Sequence, residues 1–316
     1  MPTKKQHQKK SARITRKEKR AIVNRLLPDT QSDKLQDEYS KLRAMGCARV
    51  KKSSGRTTLG NRIVDAFTLI ERLHTKGHQG ISFYEFWKRR RMYSEKPYVK
   101  NMLAFYQSRD IDEIRKYKYI YNLYFSSIAI FRPLMAMEVY CRVKAKRVLD
   151  FTMGWGGRLV GACALGLDAY YGIDINRQLK TPYRELIAFL EKESDHKTAI
   201  EVQFKNALNV DYGALDYDTV FTSPPYYGLE TYRGMKQYKT HAEWHDAFYK
   251  PLLEKTYAGL ASGGHYCLNV PETIYKEACV PVLGKYKSRI ALKKGERNLN
   301  GEYKEYIYIW QKSGVI

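Results

Sequence analysis

From about Lys146 onward the chain passes through seven short apolar runs, and their spacing restricts the fold more than any other feature. They read KRVLDF, AYYGIDI, TAIEVQF, YDTVFTS, GGHYCLNV, YKSRIAL and YKEYIYIWQK. A Gly-rich turn and a helical segment follow the first run. Residues 179–192 read as a helix after the second, and 243–261 as a helix after the fourth. Short apolar runs alternating with helices suit strands covered on both faces of a mostly parallel sheet. The last two runs lie only about ten residues apart around KKGERNLNG, which contains Asn300-Gly301. That dipeptide supplies the positive φ of a tight hairpin, so the sheet is expected to end in an antiparallel pair.

Upstream of this pattern the texture is different. Residues 1–145 hold 33 Lys and Arg against 13 Asp and Glu, a net of +20, while residues 146–316 carry the other 23 and 20, a net of +3. Cations in such local excess release counterions on meeting a polyanion, which favours a nucleic-acid partner. Residues 1–30 open with MPTKKQHQKKSARITRKEKR and read as a basic disordered arm, helical from Ser11 at the earliest, and a candidate nuclear address. Residues 31–125 read as a mainly helical basic region and the candidate for nucleic-acid recognition. Ile63, Val64, Phe67, Ile70 and Leu73 fall at helical spacing, with Gly77 as the stop. Phe83, Phe86 and Trp87 then precede Lys88-Arg89-Arg90-Arg91. The aromatics are expected in a core, and Arg89, Arg90 and Arg91 on phosphate.

No apolar run approaches a membrane span, and no secretory signal is visible, so an intracellular protein of cytoplasm, nucleoid or nucleus is expected, with no membrane partner. The five cysteines form no C-x-x-C pair and no zinc spacing, so buried free thiols are expected and no metal site.

Two constellations carry chemistry. The first is VLDFTMGWGGRLVGA, residues 148–162. A strand ends at Asp150-Phe151, Gly154, Gly156 and Gly157 form a tight turn, and a helix starts near Arg158. Glycines admit a ligand close to the backbone, and the helix start offers free N–H groups. The next strand ends in Asp174, 20 positions beyond Gly154, where an acid commonly accepts from ribose hydroxyls. Asp174 as a cap of the following helix is the structural alternative. The second constellation is Thr222-Ser223-Pro224-Pro225-Tyr226, at the end of the fourth run, where open parallel sheets bind ligands. The prolines fix the turn and hold the Ser223 and Pro224 carbonyls rigid beside the ring of Tyr226. An exocyclic amine is a poor nucleophile, because its lone pair is delocalised into the ring. Two acceptors on its N–H bonds favour a pyramidal nitrogen, and an aromatic face holds a base taken out of its stack.

These residues resemble the S-adenosylmethionine-dependent amino methyltransferases of DNA over roughly residues 125–312. The resemblance implies an α/β fold, a Rossmann-like seven-stranded methyltransferase sheet with an antiparallel C-terminal hairpin, here spanning 126–316. It implies S-adenosyl-L-methionine as cofactor, with Asp150, Gly154 and Gly156 in its loop and Asp174 on its ribose. Thr152 stands where the family often has Phe, with Phe131 and Pro133 resembling the helix start at the methionine end. Asn206, with Asp211 beyond it, stands where an Asp often neighbours the adenine. Ser223, Pro224, Pro225 and Tyr226 match the catalytic tetrapeptide, and Ser at its first position mostly goes with N4-methylcytosine. No long insertion separates Gly228 from Gly263, so a recognition domain is not expected there.

The reading is thus a DNA methyltransferase. The flipped base stacks on Tyr226, with Tyr227 behind, and the amine is gripped by Ser223 and Pro224. The proton leaves to solvent or Ser223, and no metal is called for. An N6-adenine enzyme, an RNA base methyltransferase, and a nucleic-acid-binding module without turnover are the alternatives.

Overall fold

The computed structural model describes residues 14–27, 32–50, 57–77, 79–125, 128–227, 230–292 and 305–314. All seven apolar runs are strands: β1 (Arg147–Asp150), β2 (Ala169–Ile173), β3 (Ala199–Gln203), β4 (Tyr217–Thr222), β5 (Leu260–Pro271), β6 (Ser288–Ala291) and β7 (Glu305–Gln311). They form one sheet in the order β3-β2-β1-β4-β5-β7-β6. Pairs up to β4–β5 are parallel, and β7 runs antiparallel to both β5 and β6. This is the mostly parallel sheet ending in an antiparallel pair that the run pattern predicts, and the Rossmann-like sheet that the resemblance implies. The Asn300-Gly301 turn lies outside the described residues.

The alternation of side chains along each strand explains the double covering. Val148, Phe221, Cys267 and Ile307 face one apolar cluster, whereas their neighbours Leu149, Val220, Leu268 and Tyr308 face the other. The first layer is built by α2 (Ser32–Val50), α3 (Asn61–Arg72), α8 (Pro133–Val143), α9 (Gly157–Leu165) and α10 (Lys180–Glu193). The second comes from helical stretches over 241–258 and 272–283, each carrying one π turn. The helix expected to reach residue 261 stops at Ala258, because Leu260 and Ala261 already belong to β5.

A third cluster holds the other N-terminal helices: α1 (Arg16–Leu26), α4 (Phe83–Lys88), α5 (Arg90–Ser94), α6 (Pro97–Gln107) and α7 (Glu113–Tyr124). Two capping boxes start elements here, Thr15 with Glu18 and Ser82 with Glu85, each satisfying orphan backbone N–H groups. Phe83 and Phe86 are fully buried in this core, as expected of them. The mainly helical region over 31–125 therefore divides between two cores, since α2 and α3 pack on the sheet layer.

Three expectations are corrected. The arm read as disordered over 1–30 carries α1, whose Ile22 and Val23 are buried in the third cluster, while its residues 1–13 and 28–30 lie outside the described residues. Gly77 does not end α3, which stops at Arg72; Lys76–Gly77 pair antiparallel with Glu230–Thr231. Cys47 and Cys141 are disulfide-bonded, tying α2 to α8, while Cys163, Cys267 and Cys279 are free and buried as expected. Residues 94 positions apart in sequence leave no local signal of such a pairing. Among the described residues no helix is long and apolar enough to cross a membrane.

Candidate active site

The strand order reverses between β1 and β4, and ligands in such sheets bind at the carboxyl ends of the strands beside that switch point. Both sequence constellations emerge there. Thr152 after β1 and Thr222 at the end of β4 touch through their hydroxyls at 2.5 Å, which joins the two halves of the crevice.

The β1 half is a backbone turn held from beneath. Gly154 and Gly156 take φ of 56° and 90°, values that cost a side chain dearly, and α9 begins at Gly157. Asp150, with no exposed surface, binds Arg158 through both oxygens at 2.6 and 3.1 Å and accepts from the Tyr170 hydroxyl at 2.6 Å. Arg158 also donates to the Thr152 carbonyl at 2.5 Å. The Tyr183 hydroxyl donates to the Met153 and Gly154 carbonyls at 3.2 and 3.0 Å. Asp150 and Thr152 thus shape the turn through their partners instead of presenting free polar atoms to a ligand.

Asp174 follows β2. One of its oxygens accepts from the Gly154 N–H at 3.0 Å and the other from the Asn176 N–H at 2.7 Å. It clamps the glycine turn and caps the chain after β2 at once, while each oxygen keeps a lone pair. Burial pushes its carboxyl up to about 6, against the pull of those two N–H groups. Asn206 follows β3, and its side chain accepts from the Leu208 N–H at 3.0 Å. Phe131 sits on the other side. Its ring meets Phe221 edge-on at 5.3 Å with the Arg158 guanidinium 5.4 Å away, and a Cβ on Gly157 would stand 1.8 Å from its carbonyl oxygen. Only glycine at 157 lets the segment before α8 lie this close. Beyond the tetrapeptide, Tyr232 packs on Trp155 and Gly234 approaches Ile175, so the chain after the Pro-Pro corner folds back over the turn.

The β4 half is a network of side chains. Ser223 Oγ donates to Asn269 Oδ1 at 3.1 Å. The Asn269 amide is oriented by its NH₂, which donates to the Tyr306 carbonyl at 3.3 Å. The Tyr226 hydroxyl donates to Glu305 at 2.7 Å, with Asn269 close by. Burial, then the Glu305 carboxylate, push this phenol well above its ordinary value, so it stays a donor. The Pro225 carbonyl accepts from Tyr249 at 3.0 Å. Among the described residues no backbone or side-chain group donates to the Pro224 carbonyl. Tyr227 stands apart from this network: it donates to the Tyr238 carbonyl and lies against His241 at 4.2 Å and Trp244 at 5.5 Å.

Asn269 and Glu305 are absent from the sequence-derived site. The one signal for them is a polar residue beside an apolar stretch, Asn269 after Tyr266-Cys267-Leu268 in β5 and Glu305 at the start of β7. Arg158 and Tyr183 are likewise supports that no motif announces.

The three arginines of the helical region differ. Arg89 and Arg91 are exposed. Arg90 stacks on Trp87 at 4.2 Å, donates to the Trp87 carbonyl and pairs with Glu113 at 3.4 Å. Arg90 is therefore a surface staple, and two of the three expected phosphate contacts remain open. The region is joined to the corner by the Lys76–Gly77 ladder and by Glu71, 3.8 Å from Arg233.

No protein-family profile matches the chain, and no curated protein does. Among solved structures it is similar to an rRNA methylase from Streptococcus thermophilus, at 17% identity over 58% of this chain and 99% of that one, with a TM-score of 0.38. It is similar to a putative methyltransferase from Streptococcus mutans in complex with SAH, at 17% identity over 58% and 99%, TM-score 0.40. It is also similar to a putative RNA methyltransferase from Pyrococcus horikoshii, at 15% identity over 57% and 83%, TM-score 0.38.

Proposed function

We propose that this chain is a methyltransferase that uses S-adenosylmethionine to methylate the exocyclic amine of a flipped base in DNA, N4 of cytosine. The observation that carries the reading is the orientation of Ser223. Its proton is committed to Asn269 Oδ1, so the lone pairs of Oγ are left for an incoming donor. The Pro224 carbonyl is the second acceptor of the same corner. Two acceptors suit the two N–H bonds of an amine.

The donor set around the glycine turn fits the cofactor. Asp174 keeps one lone pair on each oxygen for ribose hydroxyls, and apart from its chain neighbours the nearest atom to the place where a Gly154 Cβ would stand is the Thr152 carbonyl oxygen at 3.8 Å. Gly154, Gly156 and Asp174 would hold it, flanked by Phe131 and Asn206. Bound there, the cofactor supplies an electrophilic methyl group on a sulfonium. Ser223 and Pro224 would hold the amine nitrogen toward that methyl, and the proton the nitrogen sheds would leave to water. Proximity and aligned acceptors supply the acceleration. Tyr226, anchored by its hydroxyl, offers a ring face to the extruded base. A neutral hydroxyl at position 223, in place of a carboxylate, favours cytosine. Arg89 and Arg91 on the helical region meet the phosphates.

The test is transfer of labelled methyl from the cofactor to mixed-sequence DNA and, separately, to RNA, by wild type and by Ser223→Ala. Label in DNA that Ser223→Ala loses supports the reading. Label in RNA alone overturns the choice of DNA, and label in neither, with tight nucleic-acid binding, marks a module without turnover.

A further inference from the structure

A cavity of about 420 Å³ lies between α3, α7 and the segment leading into α8. Arg72, Arg115, Lys118 and Arg132 line it together with a single carboxylate, Asp65, a formal excess of three positive charges. Asp65 is already engaged, because it pairs with Arg72. The partners of the next two cations are neutral: Arg115 donates to the Arg25 carbonyl at 3.1 Å, and Lys118 to Asn122 Oδ1 at 2.5 Å. The amide oxygen of Asn61, in the same wall, is buried and accepts no hydrogen bond among the described residues. Like charges gathered in a lined cavity cost free energy that an anion recovers.

We propose that this cavity binds a phosphate group, carried by a nucleic-acid backbone. Arginine forks match phosphate oxygens, and the lysine adds a point charge. The buried Asn61 oxygen takes a donor next to the phosphate, such as a sugar hydroxyl or a base amine. Ile128, Ala129, Ile130 and Arg132 wall the cavity, and the same stretch brings the Phe131 carbonyl onto Gly157 at the start of α9. A phosphate held there braces the chain that packs on the glycine turn. The source of the phosphate rests on the nucleic-acid reading above; the phosphate itself rests on the cavity alone.

The groups facing Lys118 also make it a reporter. Burial, then the Arg72 charge, push its ammonium down to about 7, with Asp65 opposing them. Arg115 and Arg132 share the cavity and add no negative charge. The experiment follows the Lys118 titration by NMR in the full chain, without ligand and with inorganic phosphate. In parallel, binding of a fluorescent oligonucleotide is compared for wild type, Lys118→Met and Arg115→Gln. A midpoint near 7 that phosphate raises by about one unit or more is expected. About tenfold weaker oligonucleotide binding by each variant is expected as well, with a shallower salt dependence. A titration that phosphate moves while both variants bind the oligonucleotide normally assigns the site to a free phosphate and overturns the backbone source. A titration that phosphate leaves in place, with unchanged oligonucleotide binding, overturns the proposal. Should Lys118→Met fold poorly, Arg115→Gln and the wild-type titration still decide. Methyl transfer is not measured, so failure here and failure of the methyltransferase reading are distinct results.

Discussion

The two halves of the crevice reach rigidity by different means. On the β1 side, a backbone turn rests on a buried ion pair, Asp150 with Arg158, and on an acid that clamps two N–H groups. On the β4 side, a proline-stiffened corner is oriented by a neutral hydrogen bond that Ser223 donates to Asn269, with Tyr226 donating to the buried Glu305 carboxylate. Breaking a buried ion pair strands a charge, whereas removing a neutral partner costs only that hydrogen bond and its desolvation. Loss of Arg158 from the β1 half should therefore show as lost stability, and loss of the neutral Asn269 from the β4 half as a lost orientation of Ser223.

The largest effect follows from that asymmetry. Arg158→Met should lose roughly 3–5 kcal/mol of stability in urea denaturation, because Asp150 is left buried with only the Tyr170 hydroxyl. A loss below about 1 kcal/mol would show that the ion pair does not hold the turn. Next comes Asp174→Ala, which should weaken S-adenosylhomocysteine by about ten- to a hundredfold in calorimetry, roughly 1.5–3 kcal/mol. The pH dependence sharpens this point. The Asp174 carboxyl sits at about 6 in the fold against an ordinary 3.8, so it protonates as pH falls through about 6. Ligand affinity should drop below that pH in wild type and be flat there in Asp174→Asn. The same upward shift favours the fold below about pH 4, and that contribution is lost as pH rises through about 6.

Asn269→Ala should slow methyl transfer by about tenfold while leaving ligand affinity unchanged, since it frees the Ser223 proton from its acceptor. Its effect should not add to that of Ser223→Ala, because the two act as one unit. Additive losses would separate them. The smallest effects belong to the helical region. Arg89→Ala with Arg91→Ala should lower the slope of log affinity against log salt by about 1.8, at about 0.9 per phosphate contact. Arg90→Ala should leave that slope intact, being spent on Trp87 and Glu113.

The same asymmetry governs what the sequence discloses. The sheet is legible because neighbouring strand residues such as Val148 and Leu149 are both apolar and face opposite layers. The glycine turn is legible because its backbone conformation demands glycine at 154 and 156. The supports of the β4 corner are not, since Asn269 lies 46 positions from Ser223 and Glu305 lies 79 from Tyr226. Charge also conceals packing. The basic composition of the first third hides that α2 and α3 belong to the sheet layer, through Tyr39, Leu42, Ile63 and Val64. Within Arg89-Arg90-Arg91, the break at Arg89 between α4 and α5 sets which cation turns back onto Trp87, and no residue type announces it.

The central claim is that Ser223 and Pro224 are acceptors for an exocyclic amine. Mass spectrometry of nucleosides from DNA incubated with the protein and S-adenosylmethionine tests it most directly. The account predicts N4-methylcytosine, lost in Ser223→Ala. Methyl found on adenine N6 alone would keep the corner as an amine site and contradict the choice of base. Methyl found on a ring carbon or ring nitrogen would contradict the account itself.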